Sequence, residues 1–183
     1  MRLIPQLRLL FVLCALGLVT LFNSCGDKLA KDEDVIAFRN QDVVFHYDVW
    51  NLLSGRHIGW FIDGEGSILG YSQPESWEVA DANGYYSAEA MMTNFSQADS
   101  LIGTVKDKVM NQQVSLIKDA AQGMLVEGQK GWNSDGTIRY VAYMYEPDKQ
   151  RYKEVPLKET QSVQFINNTG AAQELLDWMQ ELD

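Results

Sequence analysis

Basic residues are scarce in this chain: 15 Lys and Arg stand against 25 Asp and Glu, a net charge of −10 over 183 residues. That balance argues against a nucleic-acid partner, because affinity for phosphates needs clustered Lys and Arg. Cysteine is scarcer, with only Cys14 and Cys25, so no disulfide framework can hold the fold together. Histidine is limited to His46 and His57. No His-Glu-x-x-His pair, Gly-rich phosphate loop or Gly-x-Ser-x-Gly elbow is present, which removes the usual zinc, nucleotide and serine-hydrolase signatures. The longest apolar run, Leu9 to Phe22, has 14 residues, whereas a helix that spans a bilayer needs roughly 20. There is no internal repeat. The remaining composition, 46% hydrophobic and 22% charged, excludes a collagen-like or wholly disordered chain.

What is present begins with an address. Arg2 and Arg8 precede the apolar run, and Asn23 and Ser24 follow it. A basic start, a short apolar centre and a small residue before the break predict a secretory signal peptide. An uncleaved N-terminal anchor is the alternative. Cys25 stands directly after Ser24, and a polar tract opens at Gly26-Asp27-Lys28. Phe22-Asn23-Ser24-Cys25 resembles the lipobox of bacterial lipoproteins, in the looser form found in the Bacteroidetes type. The resemblance implies that Cys25 is acylated and becomes the mature N-terminus. A signal peptide cleaved nearby, leaving Cys25 as a free thiol, is the competing reading. Acyl chains hold a protein to a membrane at roughly 0.8 kcal/mol per buried methylene, so several chains anchor it without a transmembrane helix. Gly26 after the Cys implies sorting to the outer membrane, with a periplasmic or a surface-facing domain. Lys31-Asp32-Glu33-Asp34 resembles the acidic export signal of surface lipoproteins, and a solvated tether explains it equally well.

The expected organisation is therefore a cleaved signal peptide over 1–24, an acylated Cys25 with a polar tether to residue 34, and one globular domain over 35–183. Val43 to Trp50 is rich in β-branched and aromatic residues, as strands are. His57 to Asp63 and Ser67 to Tyr71 flank a Gly-containing turn and read as a hairpin. Ser87 is placed to cap a helix carrying Met91 and Phe95, and Val105 to Ala120 has the spacing of one or two amphipathic helices. Thr137 to Tyr145 alternates as a strand, and Arg151 to Lys158 completes a second hairpin. Ser162 to Ile166 continues as a strand. A final helix from about Ala171, capped by Asn168 or Thr169, carries Ala172, Leu175, Leu176, Met179 and Leu182 on its inner stripe. This order predicts an α+β fold: a mainly antiparallel sheet built from hairpins, a central helical segment, and a C-terminal helix packed on the sheet.

Few residues suggest chemistry. His46 and Asp48 lie two apart on the proposed strand and share a face, the arrangement of a carboxylate orienting a general base. An envelope hydrolase built on them requires convergence in a pocket with an oxygen nucleophile or metal, and burial of His46 against the core removes that reading. Asp63-Gly64-Glu65-Gly66 and Asp81-Ala82-Asn83-Gly84 are acidic turns. An EF-hand register over the second puts Val79 and Ala90 at ligand positions, so turn chemistry is the better account. Trp77 and Trp132 are the tryptophans assigned to loops, which makes them the candidates for stacking against a ligand. No cofactor or metal site is expected.

Trp60-Phe61-Ile62-Asp63, the Gly turn, Ile68 to Tyr71, Tyr140 to Tyr145 and the terminal Leu176-Asp177-Trp178 together resemble uncharacterised lipoproteins of the Bacteroidetes. That resemblance carries no activity. The expected function is a lipid-anchored cell-envelope domain that binds a protein or glycan partner without chemistry of its own. The alternatives are the hydrolase on His46 and Asp48, and a purely structural envelope component.

Overall fold

The structure is a computed structural model that describes residues 32–130 and 136–182. Cys25 and Trp132, and with them the signal peptide and the anchor, lie outside the described residues. The chain divides into two units, Met1–Ile36 and Ala37–Asp183. Residues 32–39 are helical (α1), so residues 32–34 are helical rather than an irregular tether. The sheet, the helices packed on it and the cleft described below belong to the second unit.

That unit is α+β. Its strands are β1 (Phe45–Asn51), β2 (Arg56–Ile62), β3 (Ser67–Ser72), β4 (Tyr85–Ser87), β5 (Ser100–Thr104), β6 (Leu125–Lys130), β7 (Thr137–Glu146), β8 (Arg151–Thr160) and β9 (Val163–Asn167). Its helices are α2 (Ala88–Phe95), α3 (Asp107–Val114), α4 (Ile117–Ala120) and α5 (Gly170–Gln180). The nine strands described form one sheet in the order β5-β3-β2-β1-β7-β8-β9-β6, and β4 is added along β8. Every pairing is antiparallel, as hairpin connections dictate.

Local chemistry explains the turns. Between β2 and β3, Asp63 Oδ1 accepts the backbone N–H groups of Glu65 at 2.9 Å and Ser67 at 2.8 Å, and Gly66 takes a φ of +91° that side-chain-bearing residues disfavour. Asp81 Oδ1 likewise accepts from Asn83 at 2.8 Å and Tyr85 at 2.9 Å, so both acidic turns spend a carboxylate oxygen on their own backbone. Ser87 Oγ caps α2 through Ala90 N at 3.0 Å, and Thr169 Oγ1 caps α5 through Ala172 N at 3.1 Å. Each cap satisfies an amide that the first helical turn leaves without a partner.

Both faces of the sheet are covered. On one, Phe61, Tyr71, Val141, Tyr143 and Tyr152 pack with Tyr86 and with Met91 of α2. On the other, Trp178 of α5 meets the edge of Phe45 at 5.0 Å, and Leu175, Leu176 and Met179 are buried together with Ile117 and Ala120 of α4. This sandwiching explains why β7 is buried without alternation from Tyr140 to Tyr143. Pro156 would cost a central strand one ladder hydrogen bond; it sits where the β7–β8 register shifts by one residue. Asn167 fastens β9 to its surroundings: Nδ2 donates to Ala120 O and Pro156 O, and Oδ1 accepts from Thr169 N.

Candidate functional site

The site starts from the period of two in β1. His46 and Asp48 point to the same face, and β2 places Phe61 opposite His46, Gly59 opposite Asp48 and His57 opposite Trp50. Gly59 is the permissive position. A Cβ there would collide with the backbone oxygen of Tyr47 and the hydroxyl of Tyr71. Without it, Tyr71, which lies opposite Gly59 on β3, lays its ring across β2 and reaches β1. Its hydroxyl donates to Asp48 Oδ1 at 2.8 Å and lies 2.9 Å from His46 Nε2. Tyr143 of β7 closes the other end, with its hydroxyl 3.2 Å from His46 Nδ1. His57 Nε2 donates to the same Asp48 Oδ1 at 3.0 Å.

Burial fixes the protonation states. His46 is 2% exposed and its imidazole stacks on Phe61 at 4.2 Å. Desolvation disfavours the imidazolium, as do the charges of Arg139 and His57, and together they outweigh Asp48 and bring the His46 pKa down to about 3. A neutral imidazole has one donor and one acceptor. Tyr71 spends its proton on Asp48, so its oxygen accepts from His46 Nε2–H, and Nδ1 accepts from Tyr143. The result is a directed chain: Tyr143 to His46, His46 to Tyr71, Tyr71 to Asp48. Asp48 stays ionised at its end. Burial pushes its pKa up, but hydrogen bonds from His57 and Tyr71 prevail and hold it below the usual carboxylate value. Burial, with the charge of Asp48 beside it, drives the Tyr71 hydroxyl far above its ordinary pKa.

The Asp48 end of this chain lines a cleft. The cleft has a volume of about 460 Å³ and is lined by Trp50, Trp77, Arg139, Glu154 and Glu159 together with Asp48. Trp50 stacks on His57 at 5.1 Å. Trp77 comes from the irregular segment between β3 and β4; it packs edge-on against His57 at 4.5 Å and, with its ring tilted, against Tyr71 at 4.9 Å. Asn94 of α2 holds that segment in place: its Oδ1 accepts from Glu78 N at 2.7 Å and its Nδ2 donates to Glu78 O at 2.9 Å. On the β7–β8 side Arg139 pairs with Glu154 at 2.7 Å, and Glu159 lies 3.7 Å from it. Burial alone would lower the Arg139 pKa, yet the adjacent Glu154 raises it, so the guanidinium is permanently charged. Burial and the charge of Glu154 also push the Tyr86 hydroxyl on the cleft wall up to about 12.

The structure thus joins His46 to Asp48 through an intervening tyrosine and sets Trp77 beside them. His57, which the sequence places only at the start of the first hairpin, is the second donor to the Asp48 carboxylate. Tyr71, Trp50, Arg139 and Glu154 also belong to the site and carry no motif. Cross-strand register brings them in, and the sequence signal that marks it is Gly59 between two aromatic-rich segments. His46 itself has both ring nitrogens occupied by tyrosine hydroxyls and is buried against Phe61, so it has no path to a substrate in the cleft. This meets the condition set for abandoning a general base at this position. Among the described residues no three His, Cys, Asp or Glu side chains gather to hold a metal ion. No known protein family, curated protein or solved structure matches the chain.

Proposed function

We propose that the protein is a lipid-anchored cell-envelope lipoprotein, held at the outer membrane through Cys25, that acts by binding a protein or glycan partner without catalysing a reaction. The observation that supports binding is the cleft over Asp48, walled by Trp50 and Trp77 and backed by a hydrogen-bonded network. Networks that are fully satisfied rigidify their surroundings, and a rigid concave site with aromatic walls and a few fixed polar groups suits ligand capture. The anchor rests on the sequence from Arg2 to Cys25.

Tryptophan fluorescence and thermal melting of the protein against separated envelope fractions, one of peptides and one of glycans, test this reading. One fraction is expected to raise the melting temperature and shift the emission. Trp77→Ala is expected to weaken that response at least about tenfold, since hot-spot aromatics carry much of a site's affinity. A melting temperature unmoved by every fraction, or a response that Trp77→Ala leaves intact, would overturn it.

A further inference from the structure

The cleft is charged on one side of the balance. Asp48, Asp81, Glu154 and Glu159 line it, against Arg139 as its sole Lys or Arg among the described residues. Arg139 answers Glu154 at 2.7 Å and lies farther from Glu159, at 3.7 Å. Asp48 is 4% exposed at its side chain, and the two donors that hold it, Tyr71 and His57, both use Oδ1. These donors are a hydroxyl and a ring N–H, and neither is a lysine or arginine. Such a pocket repels phosphates and carboxylates, and it offers a neutral sugar more acceptors than donors.

Its walls select among cations. Trp50 and Trp77 present indole surface, to which organic cations are attracted through the ring quadrupole. A divalent metal instead needs several oxygens gathered at about 2.0–2.6 Å around one point. Among the described residues no such group exists.

Building on the binding reading above, we propose that the ligand group in this cleft is an organic cation, an ammonium or guanidinium. It sits between Trp50 and Trp77, donates to Asp48 Oδ2, and has Glu159 as its second counter-charge. A free polyamine and a lysine or arginine side chain of a partner protein share this chemistry.

Calorimetry and tryptophan fluorescence on the full-length protein in detergent can separate these sources. The probes are spermidine for a free polyamine, Nα-acetyl-lysine methylamide for a side chain, its Nε-acetylated counterpart, and the neutral disaccharide cellobiose. At least one of the two cations is expected to bind, and the stronger of them names the source. The Nε-acetylated probe, which has lost the charge, is expected to bind at least about tenfold more weakly, a difference of about 1.4 kcal/mol. Added salt is expected to weaken the cation, as it screens charge. Glu159→Gln is expected to cost about tenfold in affinity. Asp119→Asn, which removes the same charge from an exposed position on α4, is expected to leave affinity unchanged. Equal affinity for the charged and acetylated probes, or equal effects of Glu159→Gln and Asp119→Asn, would overturn the proposal, as would no binding by either cation. Cellobiose binding that depends on Trp77, with both cations inert, would overturn the cation while leaving the binding cleft in place.

Discussion

A neutral imidazole locked between two phenols makes His46 a source of pH dependence with a definite direction. In the unfolded chain a histidine titrates near 6.5, whereas in the fold its pKa falls to about 3. Between those values the unfolded state binds a proton that the folded state refuses. Stability therefore rises with pH across this window and is lost on acidification, at up to about 1.4 kcal/mol per pH unit. From pH 6.5 to 4 the loss assigned to His46 alone is about 3 kcal/mol. Urea denaturation at intervals across that range is expected to show it. His46→Phe lowers the absolute stability by leaving Tyr71 and Tyr143 without their partner, but it cannot carry this proton. Its unfolding free energy should consequently depend less on pH than the wild type's by that amount. Parallel curves for the two proteins would mean that His46 is protonated in the fold, and the directed hydrogen-bond chain would then be wrong. Asp48 acts in the same sense at lower pH, since its folded pKa lies below the unfolded value and its contribution vanishes once the carboxylate is protonated.

Gly59 governs how three strands share one site. Its missing Cβ lets Tyr71 cross from β3 over β2 to Asp48 on β1, so Gly59→Ala is expected to displace the tyrosine and separate Asp48 from one of its two donors. The cost should be about 1–3 kcal/mol of stability, the range for overpacking a filled interior. A loss of cation binding should accompany it, readable by the same calorimetry. The element scale also shows what was legible beforehand. The β2–β3 and β7–β8 hairpins carried their turns in Asp63-Gly64 and Pro147-Asp148, and α5 carried both its cap, Thr169, and its apolar stripe. By contrast β4 has three residues, and β5 is exposed at four of its five positions. Neither can show the alternation by which a strand is recognised, because each forms by pairing with a neighbour distant in sequence. The same physics limited the site. The His46–Asp48 pair follows from one strand's period, whereas Tyr71, His57 and Arg139 join it through registers among β1, β2, β3 and β7, and Trp77 through a segment with no periodicity at all.

At the scale of the whole molecule, attachment and binding should be separable. Net charge is −10, and removal of residues 1–24 would take away Arg2 and Arg8 without an acid, so a domain processed at Cys25 would be more acidic still. A body of that sign is repelled by anionic lipid headgroups and cannot hold a membrane electrostatically. Among the described residues no helix is long and apolar enough to cross one. If Cys25 is acylated, the protein made in a Gram-negative host should pellet with membranes and stay there through a high-salt wash, because lipid burial does not depend on screening. Cys25→Ser should shift the bulk of it to the soluble fraction or block its processing. The purified wild type should have lost residues 1–24 and gained the mass of its acyl chains at the new N-terminus. The soluble variant, when recovered folded, should bind the cationic probe with unchanged affinity, since the residues assigned to the ligand lie between Asp48 and Glu159. An intact, unmodified Cys25 in the membrane-bound protein would remove the lipid anchor and leave an acidic binding domain whose attachment needs another cause.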